Sequence, residues 1–396
     1  MFNRLLPSLG DFRHLSIGMR EKLLRWGLND RDESVRKAAK HMFNFRWVDD
    51  AGGDLLEVLE RLDVTSERIE GGPKYMALRG FWENRKDVLA DLTFEDTFWD
   101  NLTAEGSFLA RSFNDYCRTA SPQEAKGLDV DERMPEVTKL ASYMQKYINK
   151  LVMALKNRDD EATDLEFIVQ QLLLIAMTMD YGDEIGRRKM FALLRECLGI
   201  IELSEPVTKL IVKGVRKLSS GESDFCLLIL ETIASIHDTI AEDEDDDDGA
   251  QSFHSAHSDP EDAIEDSITV RPGTPAPAAP SQKPKKRKLE RSEEDNGDDV
   301  EMMDLDEEGG DDEAELAKTV KELTVNLKCL HIAQCMLENV IGGLKSNTHL
   351  VTMLNGLVVP AVRSHEAPVR EGGLRCLGLS CLLDRVYIFL PRRSPG

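Results

Sequence analysis

Apolar positions recur at steps of three and four along most of this chain, the spacing that lines one face of an α-helix. From Ser16, the positions Ile17, Arg20, Leu23, Leu24 and Leu28 hold it, and from Asp32 a second run follows with Val35, Ala38, Ala39, Met42 and Phe43 on one side. Together they predict a helical hairpin. Asp54 to Leu62, with Leu55, Val58, Leu59 and Leu62 inward, predicts a third helix, and Gly71, Gly72 and Pro73 mark the turn before a fourth over Tyr75 to Arg85. Thr103 has the character of an N-cap for a helix through Arg118, which Ser121 and Pro122 end. The longest stripe is Met134, Val137, Leu140, Ala141, Met144, Ile148, Leu151, Val152 and Leu155, and such a stripe requires a neighbour to cover it. Helices are then predicted over Leu165 to Met179, Ile185 to Leu198, Pro206 to Leu218 and Asp224 to Ile240. The period returns at Val320, Leu323, Leu327, Leu330 and Leu337, and again over Leu350 to Val362 and Val369 to Leu383. No stretch alternates as a strand does, so the expected class is all-α.

Between these two helical parts the pattern is lost. Ala241 to Glu315 holds 27 acidic and 7 basic side chains, which is -20 of the formal -23 carried by the 396 residues. It has too few apolar groups to offset the entropy of ordering, and is read as a disordered insert. The remainder is close to neutral, so the acidic total says little about the surface that does the work. Arg385 to Gly396 breaks register and is read as an aberrant or disordered tail. The expected organisation is a helical array over 1–240, the insert over 241–315, the start of a further helical domain over 316–384, and the tail over 385–396.

Helical hairpins repeating without strands point to a solenoid in which each pair buries its face on its neighbours. One recurring word supports this. Asp32-Glu-Ser-Val-Arg36-Lys-Ala-Ala39 and Glu366-Ala-Pro-Val-Arg370-Glu-Gly-Gly373 share an acid, a Val-Arg pair and small residues, and Asp183-Glu-Ile-Gly-Arg187-Arg188 is a looser copy. The acid suits a helix N-terminus, and the Arg is expected to reach between successive hairpins. This is the HEAT-repeat pattern. Longer words, Leu9-Gly-Asp-Phe-Arg-His-Leu-Ser16, Met19 to Trp26, Asp54 to Asp63, Phe98 to Thr103, Leu165 to Leu172 and Asp224-Phe-Cys226, resemble the central region of the condensin subunit 3 family, the G-type HEAT subunits. Beyond the insert, Lys328-Cys-Leu330, Val359-Pro-Ala-Val362 and Arg375 to Leu379 resemble the start of that family's C-terminal HEAT domain.

The sequence contains no G-x-x-x-x-G-K-[ST] loop, H-E-x-x-H, C-x-x-C or G-x-S-x-G, so neither an enzyme nor a cofactor is expected. The seven cysteines lack paired spacing and fit reduced thiols in the cytosol or nucleus. Cys329, His331 and Cys335 could suggest zinc, but on a helix they fall at about 0°, 200° and 240°, which turns the first away and favours core roles. No apolar run approaches the roughly 18 residues of a membrane span. All four tryptophans, Trp26, Trp47, Trp82 and Trp99, are expected in the core.

Three sets of residues carry functional expectations. Lys285, Lys286, Arg287 and Lys288 form a basic run after Pro284 that fits an import receptor's acidic groove. Thr274, before Pro275, and Ser258 and Ser292, before acids, are candidate phosphorylation sites. Arg36, Lys37 and Lys40, then Arg187, Arg188 and Lys189, then Lys209, Lys213, Arg216 and Lys217 are candidate contacts to a nucleic-acid backbone, which needs only a positive track. From the residues alone a solvated helix face is the plainer account. The resemblance favours double-stranded DNA, since this family is similar in lining a groove with Lys and Arg. It also implies binding of the kleisin subunit, and through it the SMC ATPase subunits that hydrolyse ATP, in mitotic chromosome condensation. Location in the nucleus and on the chromosome, with a cytoplasmic pool outside mitosis, follows from the same likeness. A nuclear transport receptor or histone-binding carrier built on helical repeats is the competing reading, with a phosphatase scaffold a more distant third.

Overall fold

In a computed structural model that describes residues 11–66, 72–121, 129–247, 309–344 and 347–389, the described residues form helices and turns with no strand. The first hairpin is α1 (Ile17–Leu28) against α2 (Glu33–His41), which continues through a π-helical turn, Met42–Trp47, into α3 (Val48–Asp50). Shorter helices follow: α4 (Leu55–Glu60), α5 (Pro73–Asn84), α6 (Lys86–Asp91) and α7 (Asp96–Asp100). Then come α8 (Ala104–Thr119), α9 (Val130–Arg133), α10 (Val137–Asn157), α11 (Ala162–Ala176), α12 (Glu184–Leu198) and α13 (Glu205–Leu218). α14 (Glu222–Asp247) precedes the acidic segment and α15 (Gly309–Glu338) follows it. The chain closes with α16 (Thr348–Met353), a second π-helical turn over Leu354–Val358, α17 (Val359–Val362) and α18 (Ala367–Phe389). Pro360 accounts for that second turn: it has no N–H for the carbonyl four residues back, and a widened turn lets the helix pass it.

Two rows of stacked helices result, and residue pairs show which helix belongs to which row. In one, α7 meets α10 through Lys139 Nζ to Asp96 (3.1 Å) and Lys146 Nζ to Asp100 (2.9 Å). α10 meets α12 where Lys189 Nζ donates to Ser142 Oγ at 2.6 Å, and α12 meets α14 through Arg195 and Glu231 at 3.6 Å. In the other row, Tyr75 of α5 donates to Asp115 of α8 (2.8 Å), and Arg111 of α8 donates to Gln171 of α11 (3.1 Å). Ser204, at the start of α13, then donates to Glu166 of α11 (2.7 Å). Lys328 of α15 donates to Thr208 of α13 (2.7 Å), and Cys376 of α18 to the Leu330 carbonyl (3.4 Å). Between the rows lies one continuous apolar core with Phe43, Trp82, Phe113, Leu172, Val207 and Met336 among its members. Burial of this kind stabilises by roughly 25 cal/mol for each Å² removed from water, and no single hairpin could gain it alone.

Residues 1–242 and 319–396 together make one compact unit, and 243–318 a second. The two ends of the expected insert are helical, because α14 runs on to Asp247 and α15 begins at Gly309. Once a helix is nucleated each added residue contributes a backbone bond, so a polar segment can prolong it. α18 likewise passes Asp384 and runs to Phe389.

Two expectations need correction. Trp47, Trp82 and Trp99 are buried, whereas Trp26 is 63% exposed, because the inward side of α1 is taken by Arg20, Leu23, Leu24 and Leu28. In the two closest copies the arginine of the repeated word also acts more locally than expected, whereas Arg187 of the looser copy reaches the Leu218 carbonyl at the end of α13 (3.5 Å). Arg36 donates to the carbonyls of Asp30 (2.7 Å) and Arg31 (2.9 Å), and Arg370 to those of Ser364 (2.9 Å) and His365 (3.3 Å), so each closes the turn of its own hairpin. A guanidinium one turn into a helix lies beside the orphan carbonyls of the turn just before it, which is the shorter reach. The acids behave as expected in two copies: Asp32 accepts from Ser34 N, and Asp183 from Ile185 N and Gly186 N.

Candidate nucleic-acid interface

The ten candidate basic residues occupy three helices that do not share one face. α12 stacks in the row with α10, while α13 stacks in the row with α11 and α15. The two sets meet only at one end, where Arg187 Nη1 donates to the Leu218 carbonyl that follows Lys217 (3.5 Å), and Arg188 and Lys189 lie on the α10 and outer sides of α12.

Several of the ten have structural tasks. Arg36 is spent on its turn carbonyls. Lys217 Nζ donates to the carbonyls of Met177 (2.6 Å) and Met179 (3.2 Å) and lies 5.1 Å from the Tyr181 ring centre. Burial lowers its pKa, as expected for an ammonium set among carbonyls. Arg216 lies over Phe225 (5.6 Å), donates to the Asn339 carbonyl (3.3 Å) and sits 3.9 Å from Glu222. Lys189 bridges to α10 through Thr138 O and Ser142 Oγ.

The others hold carboxylates near the surface. Lys37 pairs with Glu33 (2.9 Å), Lys40 with Glu83 (2.7 Å), Arg187 and Arg188 with Glu184 (2.8 and 2.6 Å), and Lys209 with Glu338 (2.7 Å). Glu184 is held below the ordinary carboxylate range, first by its bond to Arg187 and then by Arg188. The exposed pairs among these contribute little to stability, so a phosphate can displace the carboxylate at little cost. Lys213 lies on α13 among these residues.

A further set of lysines lies on α10, outside the ten, three of them paired with carboxylates of other segments: Lys139 with Asp96, Lys146 with Asp100 and Lys156 with Glu202 (3.3 Å). Val137–Asn157 contains no Asp or Glu, and Lys139, Lys146, Lys150 and Lys156 lie on its outer side. At 100° per residue, Lys139, Lys146 and Lys150 fall within about 40° of each other. Lys150 Nζ stands 5.2 Å from the Tyr147 ring centre. Across the groove to α12, Lys189 and Arg188 extend this side. The signal is present in the sequence as a long amphipathic helix with lysine as its only charge, but lysines spaced four to seven apart form no basic cluster along the chain and come together only on the helix.

Cys329, His331 and Cys335 are placed as the helical geometry expects. Cys329 Sγ faces the Ile233 carbonyl (3.8 Å), and Cys335 Sγ lies 3.4 Å from His331 Nε2. Burial pushes both thiols up to about 12. Among the described residues no group of three or more His, Cys, Asp or Glu could hold a metal ion, and no helix is long and apolar enough to cross a membrane. Lys285, Lys286, Arg287, Lys288, Ser258, Thr274 and Ser292 lie outside the described residues.

Residues 328–388 match the family model for nuclear condensing complex subunits, C-terminal domain. Over 98% of its length the chain is 37% identical to condensin complex subunit 3 of Schizosaccharomyces pombe, and over 97% it is 30% identical to condensin complex subunit 3 of Saccharomyces cerevisiae. It spans 40% and 37% of those two proteins. Its fold is similar to a chain in the crystal structure of the S. pombe condensin Cnd3–Cnd2 subcomplex, with a TM-score of 0.70 and 33% identity over 98% of this chain and 39% of that one.

Proposed function

We propose, from the premise that this chain belongs to the condensin complex subunit 3 family, that it is a non-catalytic HEAT-repeat segment that binds the kleisin subunit and double-stranded DNA in mitotic chromosome condensation. The observation that carries this reading is the likeness along nearly the whole chain to proteins so named, including one solved with Cnd2. The carrier reading has no comparable support. ATP hydrolysis belongs in this reading to the SMC subunits reached through the kleisin.

The DNA contact is electrostatic. Lys139, Lys146, Lys150 and Lys156, with Arg188 beside them, offer cations to phosphates that displace the carboxylates of Asp96, Asp100, Glu202 and Glu184, and Lys37, Lys40, Lys209 and Lys213 offer others. A complex of the full chain with a kleisin segment is expected to bind DNA with little sequence preference and a steep fall in affinity with salt, measured by titration at several ionic strengths. Salt-insensitive binding would remove the electrostatic mechanism, and failure to co-purify with a kleisin segment would remove the family reading itself. Lys285 to Lys288 serve as the import signal in this reading. Replacing all four by Ala is expected to leave folding intact and lower nuclear accumulation, read by microscopy of a tagged chain.

A further inference from the structure

The chain leaves α14 and returns on α15 only after residues 248–308, so a short turn does not hold this hairpin as it holds its neighbours. Beside the apolar core that both helices share, α15 meets α13 along a seam of polar groups. Lys328, His331, Cys335 and Glu338 recur at steps of three and four on one side of α15 and face the first turns of α13. Lys328 Nζ donates to the Leu203 carbonyl (2.8 Å) and Thr208 Oγ1 (2.7 Å), both neutral acceptors, and the residue is 8% exposed. His331 Nε2 lies 3.0 Å from the Glu205 carbonyl, and its Nδ1 is 3.9 Å from the Glu205 carboxylate. Lys209 and Glu338 close the seam at 2.7 Å.

We propose that this seam is a proton-sensitive joint: proton uptake at Lys328 and His331 loosens α15 from α13, and proton loss tightens it. The two groups act in the same sense. Burial brings Lys328 down from 10.5 to about 8, so the docked state holds fewer protons than the undocked one between those values and docking strengthens as pH rises through that window. Burial is also the main influence on His331 and lowers it, against the raising effects of the Glu205 carbonyl and carboxylate; docking therefore weakens as pH falls below the ordinary histidine value.

The groups facing the seam do not reverse this. Glu202 and Glu205 act on Lys328 from the α13 side in the raising direction, more weakly than burial. Burial raises Glu338, but the bonds from Lys209 and Gln334 outweigh it and keep that carboxylate ionised through the range. Cys329, Cys335 and Cys376 are each pushed up to about 12 and stay protonated.

Amide hydrogen exchange on the full chain, with the intrinsic pH dependence divided out, reads the opening of α15 directly. Between pH 8 and 10 the opening equilibrium of amides in 325–338 is expected to fall by roughly tenfold to a hundredfold, while amides of α10 and α11 move little. Lys328→Met is expected to abolish that fall, and Lys328→Arg, which keeps a charge that does not titrate, to abolish it as well. His331→Gln is expected to remove only the response below pH 7. Opening of α15 that does not change with pH in the unaltered chain, or that changes equally in α10, overturns the proposal without any variant; an unchanged pH response in Lys328→Met overturns it too.

Discussion

The two glycines that end the second copy of the repeated word are adjacent in the chain and face different neighbours. A Cβ on Gly373 would stand 2.8 Å from Val362 N and 3.0 Å from Ala361 C, both backbone, whereas a Cβ on Gly372 would meet the flexible end of Leu330 at 3.2 Å. Both lie inside α18, where Ala is intrinsically favoured over Gly by roughly 0.5–1 kcal/mol. At 372 a small shift of Leu330 lets that gain offset the crowding. At 373 the backbone of α17 has nowhere to go, and overpacking costs about 1–3 kcal/mol. Gly373→Ala is therefore expected to lower the thermal midpoint clearly and Gly372→Ala to leave it nearly unchanged, by calorimetry on the full chain. The sequence shows that small residues recur in this word. Which one carries the close approach depends on where α17 comes to rest, and no local pattern encodes that.

At the scale of one helix, the N-cap of α12 tests how far a sequence signal translates into stability. Asp183 accepts from Ile185 N (3.2 Å) and Gly186 N (2.8 Å), which satisfies two donors that the helix itself leaves open. Asp183→Ala is expected to cost about 1 kcal/mol and Asp183→Asn less, read as a shift in the urea midpoint at constant slope. Helices like α12 were legible because period, cap and charge agree within one continuous stretch of chain. The short α6, α7 and α9 and the two π-helical turns were not, because too few residues define a period. Row membership was also hidden: α12 and α13 look alike as amphipathic helices, and only pairs such as Lys189 with Ser142, or Lys328 with Thr208, assign them to different rows.

For the whole molecule, the formal charge of -23 is a poor guide to partner choice, since -20 of it lies within residues 241–315 and the helical array is nearly neutral. What matters is how charge is distributed over the rows. Lys150 and Lys217 make the sharpest contrast. Lys150 is exposed on an acid-free helix, while Lys217 holds carbonyls at the end of α11. Replacing Lys139, Lys146 and Lys150 by Gln should leave the unfolding midpoint almost unaltered, because surface pairs contribute little. It should reduce the slope of log affinity against log salt by up to about 0.9 for each phosphate that is no longer neutralised. Lys217→Met should do the opposite, lowering stability through the unsatisfied carbonyls and leaving the salt slope near its original value. Unfolding midpoints and DNA titrations at three or more salt concentrations, made on both variants with the kleisin segment present, separate the two effects. If the α10 variant keeps the full slope, the phosphates lie along the other row, where Lys209 and Lys213 become the residues to replace.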